Sequence, residues 1–154
     1  MNFIKTIIQM IEKYAKMIPA DLPLLAARLV IFTVFWRSVQ TKIVGMTVFG
    51  QHLAFWNLGG STKIVFQYEY GISNDFLIYA GTLAEFFFPL MLLFGLFTRV
   101  GAFGLLGVTA VIQFFVYPDA WLGAHMFWAV LLFIILREGG GRISLDYLIT
   151  RDKS

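Results

Sequence analysis

Four stretches of this chain stay apolar long enough to cross a bilayer, and the polar residues between them fall into a few tight groups. The stretches cover about 22–39, 76–97, 100–117 and 121–136. A helix needs about 20 residues to span the hydrocarbon. The last stretch is the shortest and spans by taking in Ala120 and tilting little. Apolar and polar residues do not alternate within the stretches, so the pattern predicts helices and not the strands of a barrel. Backbone in lipid has no water to bond, and a helix satisfies itself.

Residues 1–18 follow a different period. Phe3, Ile4, Ile7, Ile8, Ile11, Tyr14, Ala15 and Ile18 fall on one face of a helix, with Lys5, Gln9, Glu12, Lys13 and Lys16 on the other. This predicts an amphipathic helix lying in the membrane interface. The alternative is a helix packed on a partner or on the bundle. The segment lacks the continuous apolar core of a cleavable signal peptide. Pro19 and Pro23 break the chain before the first span. The expected architecture is an all-α integral membrane protein. It has an interfacial helix over 1–18 and a four-helix bundle domain over 19–154.

The outer loop, 40–75, is long for so small a bundle, and structureless loops of that length are uncommon. It carries Phe49, Phe55, Trp56, Phe66, Tyr68 and Tyr70. Asn57-Leu58-Gly59-Gly60-Ser61 predicts a turn, and Lys63-Ile64-Val65-Phe66-Gln67-Tyr68 a short extended piece. A compact aromatic cap follows, with an interfacial aromatic belt as the simpler account. Gly101, Gly104, Gly107 and Ala110 form a stripe of small residues on the third helix, suited to close helix packing.

Composition agrees with the class. Hydrophobic residues make up 59% and charged residues 14%, against about 25% charged in an average soluble domain. The absence of cysteine removes disulfides, thiol redox chemistry, iron–sulfur clusters and thiolate metal sites. The net charge of +3 matters less than its placement. Lys5, Lys13, Lys16, Arg99, Arg137, Arg142, Arg151 and Lys153 lie on one side, whereas the first connection holds Arg37, Lys42 and Lys63 and the third none. The positive-inside rule then places both termini in the cytoplasm and the long loop outside.

Glu85 is the residue that stands out. It sits near the middle of an apolar run, where a carboxylate costs on the order of 2.5–3.5 kcal/mol even on insertion scales. Such a group faces the bundle interior with a partner or ligand. Depths counted at 1.5 Å per residue put Glu85 ~14 Å below the outer start of its helix. Gln113 and His125 each lie ~6 Å from the outer ends of theirs, so all three could line one outer pocket. The leading partner for Glu85 is Arg28, across a gap of ~9 Å that a long side chain can close. Lys42 and Arg37 at the outer mouth are the next choices. Glu85 and Arg28 are thus candidate catalytic residues, and His125, Gln113 and Lys42 candidate ligand-binding residues. The plainer account of Arg28–Glu85 is a pair that only fixes helix register. For His125 and Gln113 it is a hydrogen-bonded core or interface residue. No zinc-site spacing is visible, and a bis-histidine haem would need a second bundle histidine where His52 is expected in the loop. Gly139-Gly140-Gly141 ends the fourth helix.

These residues, in this order, resemble the DoxX family of small four-helix bacterial membrane proteins. The resemblance rests on Arg28 in the first helix with Lys42 just beyond it, Ala84-Glu85 in the second, and Phe94-Gly95-Leu96-Phe97-Thr98-Arg99. It also rests on Phe66-Gln67-Tyr68-Glu69-Tyr70 and on Gly139-Gly140-Gly141-Arg142-Ile143-Ser144-Leu145-Asp146. It covers about 22–148 and leaves out the amphipathic helix. It implies an inner-membrane bundle linked to quinone-dependent sulfur oxidation or to oxidative-stress complexes with soluble partners. The expected function is therefore a membrane subunit of a redox or oxidative-stress system with a quinone-like ligand and no intrinsic cofactor. Electrons would come from a flavin or metal on a soluble or membrane redox partner. Membrane lipid is the other expected partner, nucleic acid is not expected, and a homo-oligomer is compatible with the sequence. The alternative is a non-enzymatic scaffold or small-solute carrier whose ion pair is structural.

Overall fold

A computed structural model of the protein describes residues 2–69 and 71–151. Tyr70 and Lys153, used in the sequence reading, and the ends of the ranges 1–18 and 19–154 lie outside the described residues. Among the described residues, four helices are long and apolar enough to cross a membrane: Asp21–Gln40, Asp75–Phe94, Thr98–Val116 and Pro118–Glu138. We name the first two α2 and α4. The third is α5 (Thr98–Val111) continued by a π-helical turn, Ile112–Val116. The fourth begins with a 3₁₀ turn and a π-helical turn, Trp121–His125, and continues as α6 (Met126–Glu138). Each packs on the next, and α6 returns to α2, so the four close into a bundle. Preceding them is α1 (Asn2–Ala15), whose side chains from Phe3 onward are exposed.

The second span ends at Phe94, three residues sooner than the apolar pattern predicts. Gly95 at φ 65° adopts the left-handed conformation that terminates helices, and its N–H bonds the Leu92 carbonyl. The core of the bundle's terminal half is Leu24, Ile31, Phe35, Leu92, Ala102, Leu105, Leu132 and Ile135. The small-residue stripe is partly confirmed. A Cβ on Gly101 would meet Met91 and the Phe88 carbonyl at 3.0 Å, and one on Gly104 would overlap the Phe88 ring. Gly107 faces open space, so the close approach of α4 to α5 stops short of it.

The loop forms a cap of definite structure, with two corrections to the sequence reading. The extended piece is not at 63–68. It is a hairpin of β1 (Thr47–Val48) and β2 (Gln51–His52). The β-prone stretch lies instead in α3 (Gly60–Glu69). Thr62, Val65 and Phe66 point inward at helical spacing, and the Thr62 hydroxyl donates to the Lys42 carbonyl at 2.6 Å. That packing overrides strand propensity, which is weak and context-dependent. Phe49 and Gly50 form the hairpin turn at φ 49° and 76°. Left-handed backbone costs a non-glycine residue roughly 1–2 kcal/mol. Val39, Ile43 and Phe86, with Trp36, Leu53, Phe55, Leu58 and Leu90 against them, form a second apolar cluster that seats the cap on the bundle. Lys63 reaches Asp75 at 2.8 Å, and this hydrogen bond holds the exposed ammonium above its ordinary pKa. So exposed a pair contributes little to stability.

Candidate functional site

Lys42, not Arg28, is the partner of Glu85. Its ammonium donates to Glu85 Oε2 and to Ser38 Oγ at 3.1 Å, and Ser38 Oγ donates to the same carboxylate oxygen at 2.9 Å. Lys42 is 6% exposed and Glu85 4%, so both charges are taken out of solvent together. Phe66 lies under the ammonium, 5.6 Å from Nζ to the ring centre, a cation–π distance. Ser38 and Lys42 come together because they are one helical turn apart at the end of α2, continued by the Lys42 N–H bond to the Val39 carbonyl. Glu85 Oε1 accepts no hydrogen bond from the described residues. Pro89 lies four residues on and brings no N–H, so the Glu85 carbonyl is also without its helical donor. Ser38 and Lys42, both bonded to Glu85, border a cavity of about 230 Å³ that Thr41, Ser61, Thr62, Val65 and Phe66 also line.

Arg28 does something else. Its Nε donates to Leu92 O at 2.7 Å, Nη1 to Gly140 O and Ile143 O at 2.7 Å, and Nη2 to Leu93 O at 3.1 Å. The expected Arg28–Glu85 ion pair is absent because the guanidinium is neutralised another way. It sits on the C-terminal carbonyls of α4, where the helix dipole carries partial negative charge, and on two carbonyls of the loop after α6. Asp146 completes the clasp. Its carboxylate accepts from Phe97 N at 2.7 Å and Thr98 N at 2.8 Å, and its own N–H returns to Gly95 O at 2.8 Å. Asp21 accepts from Arg142 N at 2.7 Å. The glycine-to-arginine turn and the terminal Ser-Leu-Asp run, far apart in sequence, therefore meet on Arg28. A cavity of about 930 Å³ opens beside this clasp, lined among others by Asp21, Thr98, Arg99, Arg142 and Asp146. The Thr98 hydroxyl, buried there, has no hydrogen-bond partner among the described residues.

Gln113 and His125 meet each other but not Glu85. Gln113 Nε2 donates to Pro118 O at 2.6 Å, which turns its amide oxygen toward His125 Nδ1, also at 2.6 Å. His125 Nδ1 must then carry the proton, leaving Nε2 as a bare acceptor in the neutral ring. No hydrogen bond from the described residues reaches Nε2. Trp128 packs against the ring at 4.9 Å between centres. Both residues belong to the π-helical turns, a geometry frequent at functional sites. The single outer pocket expected for Glu85, Gln113 and His125 is thus two separate polar groups. Depth counting failed because helix ends are staggered: Glu85 sits level with the last turn of α2, under the cap. Among the described residues no group of histidines and carboxylates could hold a metal ion.

Four apolar helices with buried polar clusters between them define a multi-pass membrane protein of the small four-helix kind. The profile of the DoxX family matches residues 23–118, more than half of the chain, and the protein belongs to that family. Arg28, Lys42 and Glu85 fall inside the match, and the Arg142–Asp146 part of the clasp outside it. No curated protein and no solved structure matches the chain.

Proposed function

We propose that this protein is a membrane subunit of a redox or oxidative-stress system, and that its working site is the Ser38–Lys42–Glu85 cluster beneath the cap. The observation that carries this reading is a buried ammonium that lines a small hydroxyl-lined cavity and is paired behind it with a buried carboxylate. At about 230 Å³ the cavity is smaller than the usual 300–1,000 Å³ ligand pocket, so its occupant is small. The lining offers hydroxyls and one cation, which suit a molecule with acceptor oxygens: a small oxyanion or the carbonyl of a quinone-like head group. Lys42 holds that oxygen, and Glu85 exchanges a proton with it through Ser38 and Lys42, which it bonds. Electrons come from a flavin or metal on a partner chain. Following the charge count, the cap faces the outer side and both termini the cytoplasm of a bacterial inner membrane.

A second reading is structural. The Lys42 carbonyl accepts from both Gly59 N and the Thr62 hydroxyl, so Lys42 is also the point at which the cap is tied down. In that case the protein is a scaffold or solute carrier. The test is to purify the chain in native lipid and identify co-extracted small molecules by mass spectrometry, with Glu85→Gln alongside and thermal unfolding of both. A stoichiometric quinone or oxyanion lost from a stably folded variant supports a ligand site. A variant that unfolds supports the structural reading. Nothing bound to either, with equal stability, removes both.

A further inference from the structure

We propose that the β1–β2 hairpin is embedded in the bilayer, with Phe49 among the acyl chains of the surrounding lipid. The argument starts from unequal helix lengths. Ser38 bonds Glu85, so these residues are roughly level. From Glu85 to the start of α4 at Asp75 is ~15 Å of helix, whereas from Ser38 to the end of α2 at Gln40 is ~3 Å. The α4 helix therefore rises ~12 Å above the end of α2. The third span, Thr98–Val116, starts beside the end of α4 and is as tall as α4 to within ~2 Å. The cap fills the height that α2 leaves vacant, within the depth spanned by its neighbours. The tops of those neighbours are apolar and exposed, at Phe76, Phe114, Phe115 and Leu122, as lipid contact requires.

The hairpin then turns downward. Gln40 exchanges two hydrogen bonds with the His52 backbone, at 2.7 and 3.1 Å. One helical turn lower, Trp36 Nε1 donates to Gln51 Oε1 at 2.8 Å. Passing back along β2 from His52 to Gln51 thus descends α2, and the Phe49–Gly50 turn lies lower still. Its chemistry matches that depth. No Asp, Glu, Lys or Arg occurs from Ile43 to Thr62. Met46, Val48 and Trp56 are exposed, and Phe49 completely so. Much of the backbone is bonded internally, through the β1–β2 ladder, Val44 N to Asn57 O and Leu53 N to Met46 O. That is the condition for irregular backbone at membrane depth. Phe49 also keeps a strained φ of 49° where glycine or asparagine would be relaxed. A bulky apolar side chain there gains nothing in water and much in lipid.

The chain has no cysteine, so a single one can be placed cleanly. The full chain carrying Phe49→Cys, labelled with bimane, is reconstituted in phosphatidylcholine vesicles with or without brominated acyl chains. Asp119→Cys, in the exposed 3₁₀ turn that opens the fourth span, is the reference, and Val48→Cys a second probe. Bromolipid quenching at residue 49 is expected to exceed that at 119 several-fold, with iodide quenching in the opposite order. Iodide quenching at 49 equal to that at 119 would place the tip in water, where a soluble partner docks. No quenching by either reagent would put it against protein, and a disulfide-linked dimer of the unlabelled Phe49→Cys chain in the same vesicles would identify a second copy. Each of those results overturns the proposal.

Discussion

Lys42→Met is the most informative single change. It leaves the Glu85 carboxylate 4% exposed with only the Ser38 hydroxyl as a donor. Removing one member of a buried ion pair typically costs about 3–5 kcal/mol, because the survivor stays desolvated and unpaired. Membrane burial on α4 gives Glu85 no easy route back to water. Replacing both members with apolar residues of similar size is often neutral or better. The expected cycle is therefore steep on one side and flat across the diagonal. Lys42→Met costs about 3–5 kcal/mol and Lys42→Met/Glu85→Leu less than about 1.5, a coupling of about 3 kcal/mol or more. Total stabilities of domains run to about 5–15 kcal/mol, so the single variant should unfold at visibly lower denaturant. Reversible unfolding in mixed micelles, titrated with sodium dodecyl sulfate and followed by tryptophan fluorescence, measures all four corners. A cost below about 1 kcal/mol for Lys42→Met, the range of exposed pairs, would refute the reasoning. It would mean that water in the 230 Å³ cavity solvates the pair. If the double variant folds well but no longer retains the co-extracted ligand sought above, the pair serves the proposed site and not architecture.

Other consequences can be measured separately. Arg28→Lys keeps the charge but loses the planar fork that spans four carbonyls, and should cost about 2–3 kcal/mol in the same unfolding assay. A loss under 0.5 kcal/mol would show that the carbonyls find other donors. Gly104→Ala should destabilise by about 1–3 kcal/mol by overlap with Phe88, while Gly107→Ala should be neutral or stabilising by up to about 1 kcal/mol; equal effects would contradict the packing described. A green fluorescent protein fused after Ser154 should fluoresce in cells and an alkaline phosphatase at the same place stay inactive; the reverse pattern would invert the proposed orientation.

The spans were legible in the sequence because lipid enforces a long, continuous apolar signal that needs no knowledge of neighbours. Glu85 was legible for the same reason, since a carboxylate there breaks the signal. Its partner was not. Depth arithmetic assumes that all helices end at one plane, and α2 ends ~12 Å short of α4. Lys42 therefore comes down on Glu85 from a segment counted as loop. The spacing of Ser38 and Lys42, one turn apart, was the available clue. Arg28 misled because a buried cation was expected to seek a carboxylate, whereas the C-terminal carbonyls of α4 and two loop carbonyls after α6 serve it equally well. Those carbonyls belong to residues 92, 93, 140 and 143, and nothing in a linear pattern marks their convergence. The hairpin escaped notice because its apolar residues suggest a belt as readily as a strand pair.

The Arg28 clasp also sets a schedule for biogenesis. The first spanning helix enters the membrane with a guanidinium that has none of its bonding partners yet made. The α4 carbonyls reach it when the second span is inserted, but Gly140 and Ile143 follow only after the fourth. Until then the nascent bundle holds a half-solvated cation, a state that translocon-associated chaperones and membrane proteases can recognise. A ribosome stalled or a message truncated just past Glu138 would leave four complete spans and an unlocked product. The segment that carries Gly140, Ile143 and Asp146 thus closes the clasp only once all four spans are in place.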